Sequence, residues 1–252
     1  MSIDKIAIVT GGSRGIGRNT VLHLARRGVR SIFTYNSNRA EADRATALAA
    51  EAGAQAIALQ LDTGDVAAFA GFAERVKEAL GALEAARFDY LVNNAGISSS
   101  AGLEAITEAE MDTLYNVHFK GVLFLTQRLL PLMNDGGRIV NISSGLARFA
   151  MPNRIGYGSI KAAVEALTRY MAVELGPRRI SANVVAPGAI ATDFSGGIVR
   201  DNPQVNKMVA ANTALGRVGV PDDVAAVIAA LLSDDFGWVN AQRIEAAGGV
   251  HI

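Results

Sequence analysis

The sequence predicts an α/β protein in which a doubly wound parallel sheet of about seven strands is flanked by helices. Short apolar runs rich in β-branched residues alternate along the chain with helix-length segments whose apolar residues recur near every 3.6 positions. The strand-length runs are apolar throughout, which is typical of strands that are covered on both faces. Because alternating strands and helices pair in parallel through right-handed crossovers, we expect helices on both sides of one sheet.

The elements follow one another without a linker or an internal repeat. The expected strands are 6–9, 31–35, 56–61, 90–92, 138–142, 180–185 and 243–246. The expected helices are 19–27, 41–52, 66–83, 108–133, 159–175 and 221–232. The longest apolar run, 224–232, is far shorter than the ~20 residues that span a bilayer, so we expect a buried helix there. The whole chain, 1–252, is expected to form one domain.

Composition excludes several classes of protein. Half of the 252 residues are hydrophobic and 19% are charged, which excludes a disordered chain. The 24 basic and 24 acidic residues balance, which argues against a nucleic-acid binder that relies on phosphate contacts. There is no cysteine and only three widely spaced histidines, so we expect no metal site. Residues 1–9 lack the features of a signal peptide, so we expect a cytoplasmic protein that does not associate with a membrane.

The largest interruption of the strand–helix rhythm is the segment 187–219, which is rich in glycine and mixes polar with apolar residues. A connection of this length is uncommon unless it closes over a ligand. It leaves the end of the sixth predicted strand, where open α/β sheets bind their ligands. The sequence therefore predicts a substrate lid at about 187–219.

A glycine-rich turn, Thr-Gly-Gly-Ser-Arg-Gly-Ile-Gly at 10–17, lies between the first predicted strand and the first predicted helix. Glycines in that position allow a tight turn and let backbone N–H groups approach a pyrophosphate at the helix N-terminus. A plain glycine-rich turn without a ligand is the alternative. The position of the turn favours binding of a dinucleotide.

The choice of dinucleotide depends on the second predicted strand. NAD sites usually carry a carboxylate about 20 residues beyond the glycines, where it holds the ribose 2′-hydroxyl. No Asp or Glu occurs between Gly11 and Ala40, so a 2′-phosphate would meet no repulsion. Arg14 in the turn and Arg39 after the strand are candidates for pairing with that phosphate, although both could simply be solvated. The sequence predicts NADP(H).

A second motif follows the fifth predicted strand, which ends near Ser144. Tyr157 and Lys161 are four residues apart and therefore share one face of a helix. A nearby ammonium lowers the pKa of a tyrosine, which can then exchange a proton with an alcohol or a carbonyl oxygen. Ser144 could hydrogen-bond the same oxygen. A Tyr–Lys pair at this spacing is common by chance on helix surfaces, so the motif alone does not establish an enzyme.

Together, these motifs and their order resemble those of the short-chain dehydrogenases/reductases, and the resemblance covers the whole chain. It implies a single-domain Rossmann fold and a catalytic set of Ser144, Tyr157, Lys161 and Asn116. It also implies that NADP(H) is bound by Gly11, Ser13, Arg14, Gly15, Ile16, Gly17, Asn36, Ser37, Asp62, Asn93, Ala95, Gly96, Tyr157, Lys161, Pro187, Gly188, Ile190 and Thr192.

The resemblance also implies a mechanism. Tyr157 is the general acid/base, Lys161 lowers its pKa and bonds the nicotinamide ribose, and Ser144 polarises the substrate carbonyl. Asn116 links Lys161 to solvent through water. Members of this family are usually dimers or tetramers that pair through the helices carrying these residues, so we expect a homo-oligomer that acts on a small carbonyl or alcohol. The nearest subgroup resembles bacterial 3-oxoacyl-carrier-protein reductases and related NADP-linked carbonyl reductases.

Two positions depart from the family pattern. Ile160 stands before Lys161, where the family often has a small residue, and Ala241 stands where it usually has glycine. Neither change touches a functional position. A non-catalytic NADP(H)-binding regulator, or a different reaction such as epimerisation, dehydration or dehalogenation, would be expected to alter the Tyr–Lys pair or the glycine turn, and neither is altered.

The expected substrate walls mix small, polar and apolar residues. They comprise 98–102, 145–149, 151–155 and a loop through Phe194, Ile198 and Met208. Arg148 and Arg154 could meet an acidic substrate, or they could be solvated. Asp193 and Asp201 would oppose an anionic ligand if they faced inward.

Overall fold

The computed structural model describes residues 5–252, so residues 1–4 of the predicted N-terminal segment lie outside the described part. The strands are β1 (Ile6–Val9), β2 (Arg30–Tyr35), β3 (Ala56–Gln60), β4 (Phe88–Asn93), β5 (Met133–Ile142), β6 (Ser181–Pro187) and β7 (Arg243–Ala246). The helices are α1 (Gly15–Ala25), α2 (Arg39–Glu51), α3 (Phe69–Ala82), α4 (Glu108–Tyr115), α5 (Gly121–Leu129), α6 (Ile155–Glu174), α7 (Ile198–Asp201), α8 (Pro203–Ala211) and α9 (Pro221–Leu231).

The strands form one seven-stranded parallel sheet in the order β3-β2-β1-β4-β5-β6-β7. This confirms the doubly wound Rossmann-type sheet that the alternating pattern predicts. The order reverses between β1 and β4, so the carboxyl ends of these two strands border the crevice where such sheets bind ligands. The glycine turn follows β1 at that edge.

Two apolar clusters cover the two faces of the sheet. One is built around Phe69, Phe72 and Leu80 of α3, with α5 and α6 packed beside it. The other is built around α1, α2 and α9, and it contains Val224 and Ile228 of the long apolar run. The inner strands β1, β4 and β6 therefore bury both faces, which explains why their sequences are largely apolar, whereas the edge strands β3 and β7 are only partly buried. The buried helix expected near 224–232 is confirmed as α9.

The predicted helix 108–133 is interrupted in the structure. Between α4 and α5 lies one π-helical turn, Asn116–Lys120, and a 3₁₀ turn, Leu130–Leu132, follows α5. A π turn inserts one extra residue into the helix, so the side chains on either side of it change the face on which they lie. The apolar pattern continues through this turn, which is why the periodicity predicts one helix.

Several element boundaries also differ from the prediction, among them the starts of α1, α6 and β5. α1 begins at Gly15 and not at residue 19, because glycines are accommodated in its first turn. β5 begins at Met133 and not at residue 138. The register of β4 and β5 shifts between Phe88 and Tyr90, and Gly136 takes a positive φ of 74° in the irregular part of β5. Such an irregular stretch has no strand-like sequence pattern.

The segment predicted as a lid, 187–219, leaves the sheet at the end of β6 and carries the short helices α7 and α8. Ile190 and Gly219 form a parallel bridge, and Thr213 bridges Val250 near the C-terminus. These bridges hold the two ends of the segment to the body of the protein. Within the described residues, none of the helices is long and apolar enough to cross a membrane.

Candidate active site

The glycine turn is held by residues of two neighbouring strands. Thr34 of β2 accepts a hydrogen bond from the N–H of Gly11 through its hydroxyl, at 3.0 Å. Asn94, directly after β4, donates from Nδ2 to the carbonyl oxygen of Thr10 at 2.8 Å. Thr10 Oγ1 in turn accepts the N–H groups of Asn94 and Ala95, both at 2.9 Å. Asn94 stands beside the predicted Asn93 but is not among the residues predicted to bind the cofactor, and its role here is to hold the turn.

The turn leaves space for a ligand backbone to approach. Gly11 and Gly15 have positive φ values of 65° and 56°, which favour glycine. A Cβ at Gly17 would overlap the carbonyl oxygen of Gly11. No side chain caps the first turn of α1, so its N–H groups and the helix dipole are available to an anion. This arrangement fits the pyrophosphate of a dinucleotide.

Arg14 and Arg39 differ in availability. Arg39 donates from Nε to Asp43 Oδ1 at 2.7 Å, one turn further along α2. Arg14 is exposed, and its guanidinium has no ion pair among residues 5–252. Asn36 and Ser37 are exposed directly after β2, and Asp62 is exposed directly after β3. Of the two predicted arginines, Arg14 is therefore the more available to a 2′-phosphate, since Arg39 would first have to leave its exposed surface pair with Asp43.

Asn93 does not offer its side chain to a cofactor. Its residue is 4% exposed, and its Nδ2 donates to Asn141 Oδ1 at 2.8 Å and to Thr126 Oγ1 at 3.1 Å. Asn93 and Asn141 are register partners on β4 and β5, so the two amides pair inside the sheet. The predicted role of Asn93 in binding the cofactor is thus limited to its backbone.

The other predicted cofactor residues gather at the same edge of the sheet. Pro187 ends β6, and Gly188 packs so closely on Ala247 that a Cβ there would lie 3.1 Å from its Cα. Thr192 approaches the glycine turn, since a Cβ at Gly15 would lie 3.6 Å from Thr192 Cγ2. The remaining members of the set at this edge are Ser13, Ile16, Gly96 and Ile190.

Ser144 follows β5 and begins a 3₁₀ turn. Its Oγ accepts the N–H of Leu146 at 3.2 Å, which leaves its own hydrogen free to donate. The preceding Ser143 donates from Oγ to Glu165 Oε1 at 2.7 Å. Glu165 also accepts from Arg243 of β7 at 2.7 Å. The serine loop is therefore fixed to α6 and to the last strand.

Tyr157 and Lys161 lie in the first half of α6, on the face that meets the serine loop. The Ser144 hydroxyl lies near enough to Tyr157 to act on the pKa of the phenol, which it lowers. The Lys161 Nζ lies 5.6 Å from the centroid of the Tyr157 ring and donates to the carbonyl oxygen of Ile142 at 2.7 Å. Lys161 is 5% exposed. The structure thus brings the three predicted residues together.

The pKa values differ from the expectation. Burial raises the pKa of Tyr157 to about 12, against the opposing effects of the Ser144 hydroxyl and the Arg154 charge. Burial also lowers the pKa of Lys161 to about 7. The expectation that Lys161 lowers the pKa of Tyr157 is therefore not met in this structure, because removal of both groups from water disfavours both charged forms.

The side chain of the fourth predicted residue, Asn116, bonds a neighbour on its own helix, and its predicted catalytic role stays a prediction. Asn116 begins the π turn, and its Oδ1 accepts a hydrogen bond from Lys120 Nζ at 3.2 Å. His118, two residues later, takes the inner position. Its ring stands edge-on to Tyr157, with centroids 5.5 Å apart and an interplanar angle of 86°. The sequence signal was a histidine within an otherwise apolar helical pattern, which is most often a core residue.

The two arginines proposed for an acidic substrate both make contacts within the protein, but only Arg148 is paired with a carboxylate among residues 5–252. Arg148 pairs with Glu245 at 2.8 Å and donates to the carbonyl oxygens of Val250 and His251. Arg154 donates to the carbonyl oxygen of Ser99 at 2.5 Å. The alternative that both are simply solvated is not met, since both hold loops in place.

The acidic side chains of the lid segment are neutralised locally. Arg200 pairs with Asp193 and, at 2.7 Å, with Asp201. Apolar side chains are exposed on the segments that flank Tyr157, and the Phe194 ring lies 6.0 Å from the Tyr157 ring. These partly exposed apolar residues are Ile97, Met151, Ile155, Phe194, Ile198 and Met208.

Comparison with known proteins agrees with this geometry. Residues 11–251 match the family described as enoyl-(acyl carrier protein) reductase. A hydroxynaphthalene reductase-like protein, Arp2 of Metarhizium brunneum, is 34% identical over 97% of this chain and 94% of its own. The chain belongs to the short-chain dehydrogenase/reductase family.

Two solved structures are similar over nearly the whole chain. The promiscuous reductase LugOII, which catalyses keto-reduction at C1 during lugdunomycin biosynthesis, is 40% identical with a TM-score of 0.89, over 97% of this chain and 96% of its own. The angucycline C-6 ketoreductase LanV with bound NADP is 35% identical with a TM-score of 0.89, over 97% of this chain and 95% of its own. The narrower resemblance to 3-oxoacyl-carrier-protein reductases stays a prediction.

Proposed function

We propose that this protein is an NADP(H)-dependent ketoreductase in which Tyr157 is the general acid/base. The observation that carries the proposal is the convergence of Tyr157, Ser144 and Lys161 at the edge of the sheet that also holds the open glycine turn. A dinucleotide on the turn and a carbonyl beside Tyr157 would be neighbours.

Each side chain has a part in ketone reduction. NADPH, when bound, supplies the hydride that the carbonyl carbon receives. Ser144 donates a hydrogen bond to the carbonyl oxygen, because its own oxygen is already oriented by Leu146. Tyr157, whose high pKa keeps it protonated at neutral pH, donates its proton to the developing alkoxide. Lys161 then restores that proton from its ammonium group, whose pKa is about 7.

Selectivity for NADP(H) is assigned to Arg14. A free guanidinium beside the turn can bind a 2′-phosphate through paired, charge-assisted hydrogen bonds. Arg39 contributes little, since its charge is satisfied by Asp43. The bound NADP in LanV supports the same cofactor for this chain.

The substrate class that the site supports is an apolar ketone. The segments flanking Tyr157 expose aliphatic, sulfur-containing and aromatic side chains. Asp193 and Asp201 are paired with Arg200, whereas Arg154, which bonds the neutral Ser99 carbonyl oxygen, keeps its charge. The hydroxynaphthalene reductase-like relative and the two ketoreductases support a fused-ring aromatic ketone.

The segment 187–219 is proposed to be the substrate lid, with Phe194 covering Tyr157. A homo-oligomer, dimer or tetramer, is also proposed. The exposed side chains of Tyr170 and Val173, which are 70% and 76% exposed on α6, support pairing through that helix.

The test is oxidation of NADPH and of NADH with a panel of fused-ring aromatic, cyclic aliphatic, open-chain and acyl-thioester ketones. We expect NADPH to be preferred and fused-ring ketones to give the highest kcat/KM. Preference for NADH would contradict the role of Arg14, and preference for acyl thioesters would contradict the substrate class. Binding of both cofactors without turnover of any ketone would favour the non-catalytic regulator.

A further inference from the structure

His118 is a buried titratable residue that the proposed mechanism does not use. It is 1% exposed and lies in the π turn between α4 and α5. Its Nε2 lies 2.8 Å from the carbonyl oxygen of Ile97 and 3.2 Å from the N–H nitrogen of the same residue. The Ile97 N–H also points at Nε2, so the two contacts require opposite tautomers. The shorter contact, to the carbonyl oxygen, favours the tautomer with the proton on Nε2.

The other ring nitrogen is consequently a free acceptor. Nδ1 is buried and has no hydrogen-bond partner in the structure. Buried polar atoms nearly always have a partner, and an unpaired one in a native protein calls for a functional explanation. The same ring contacts the edge of Tyr157, so the free acceptor belongs to the surroundings of the catalytic pair.

The charged groups around this ring make a neutral imidazole necessary. Tyr157 and Lys161 face it from α6, and Arg154 acts on Tyr157 from the N-terminal end of that helix. Burial and the Lys161 charge both hold the pKa of His118 well below its usual value. The Lys161 ammonium has three hydrogens to donate, and the structure gives it one acceptor, the carbonyl oxygen of Ile142.

We propose that His118, and not Asn116, is the positioning residue behind the catalytic pair, and that its Nδ1 accepts a hydrogen bond from the Lys161 ammonium, directly or through one water. The inference rests on the proposed function, in which protonated Lys161 restores the proton of Tyr157. His118 thereby stabilises the charged form of Lys161 without adding a second charge. Its Nε2–H fixes the loop at Ile97, which follows the cofactor-binding residue Gly96.

The kinetic test compares four variants by the pH dependence of kcat for ketone reduction. His118→Phe keeps an aromatic side chain but lacks both ring nitrogens. We expect its kcat to fall about tenfold, which is the effect of one lost hydrogen bond. We also expect the alkaline limb of the profile, where kcat declines with rising pH, to move about one pH unit lower. The KM for NADPH should change less than twofold. His118→Asn, which keeps one donor and one acceptor, should recover part of kcat and return the limb towards its original pH.

Two further variants serve as comparisons. Asn116→Ala should leave the limb in place, because its side chain bonds Lys120 and not the catalytic pair. His23→Gln is the matched histidine control. His23 lies near the C-terminal end of α1 and pairs there with Asp222 of α9. A shift of the limb in Asn116→Ala but not in His118→Phe would overturn the proposal, as would an unshifted limb in His118→Phe.

A measurement without turnover separates this inference from the proposed function. In the unmodified protein, nitrogen NMR of the histidine side chains should show His118 as the neutral Nε2–H tautomer from pH 6 to 9. A proton on Nδ1, or an imidazolium at pH 6, would overturn the role of His118. If the expected tautomer is found but no ketone is reduced, the proposed function fails and the assignment of the acceptor stands.

Discussion

The Lys161 ammonium donates a hydrogen bond of 2.7 Å to the carbonyl oxygen of Ile142, the last residue of β5. This bond connects the middle of α6 to the strand that leads into Ser144. Because Lys161 is buried and pairs with no carboxylate among residues 5–252, its pKa falls to about 7. The lysine can therefore exchange its proton in the neutral pH range, whereas an exposed lysine could not.

The two directions of the reaction should depend on pH in opposite ways. Ketone reduction needs protonated Lys161 and should decline as the pH rises through about 7, while Tyr157 stays protonated up to about 12. Alcohol oxidation needs a proton acceptor and should rise over the same range. The measurement is kcat in both directions from pH 5.5 to 9.5. Parallel trends in the two directions would contradict the assignment.

Cofactor preference should depend on Arg14 and not on Arg39. Arg14→Ala should raise the KM for NADPH about 10- to 100-fold, the effect of losing charge-assisted hydrogen bonds, and should leave the KM for NADH nearly unchanged. Arg39→Ala is the matched control, because its guanidinium already pairs with Asp43. A larger effect of Arg39→Ala would show that the pair with Asp43 opens when the cofactor binds.

The glycine turn should tolerate no side chain at Gly17. A Cβ there would overlap Gly11 and would lie 2.5 Å from Asn94 Nδ2, so Gly17→Ala should cost about 1–3 kcal/mol of stability and weaken cofactor binding. Gly71→Ala on α3 is the control, since a Cβ there would meet nothing within 4 Å. That variant should gain up to about 1 kcal/mol from helix propensity. Thermal unfolding with and without NADPH measures both effects.

Replacement of Ala241 by glycine should stabilise the protein. Ala241 has a positive φ of 58°, where the family usually has glycine, and a Cβ in that conformation costs about 1 kcal/mol. Ala241→Gly should therefore raise the free energy of unfolding by about that amount, without changing kcat. Chemical denaturation checks the first point and steady-state kinetics the second. A loss of stability would mean that the packing of the Ala241 methyl against the core outweighs the backbone strain.

The sheet could be predicted because its inner strands bury both faces and are largely apolar. The site could be predicted because Ser144, Tyr157 and Lys161 follow fixed spacings. The π turn at Asn116–Lys120 could not be predicted, since the apolar pattern continues through it. Within that turn His118 is the buried residue, and the apolar pattern alone does not indicate that its ring lies beside Tyr157.

Side-chain pairs between elements that are distant in the sequence could not be predicted either. Asn93 is used inside the sheet because β4 and β5 align it with Asn141, and this register depends on the irregular start of β5. Arg148 pairs with Glu245, 97 residues further along the chain. By contrast, the bond from Arg39 to Asp43 joins residues four apart on one helix and could have been predicted from that spacing.

The most direct test of the central claim is the rate of NADPH-dependent ketone reduction in Tyr157→Phe, with NADPH binding measured on the same sample. Tyr170→Phe is the matched control, because Tyr170 lies on the same helix with 70% of its surface exposed. We expect Tyr157→Phe to bind NADPH as the unmodified protein does and to lose at least about a hundredfold in kcat, the usual scale of general acid catalysis. Retention of most of the activity in Tyr157→Phe would contradict the role of Tyr157 as the proton donor.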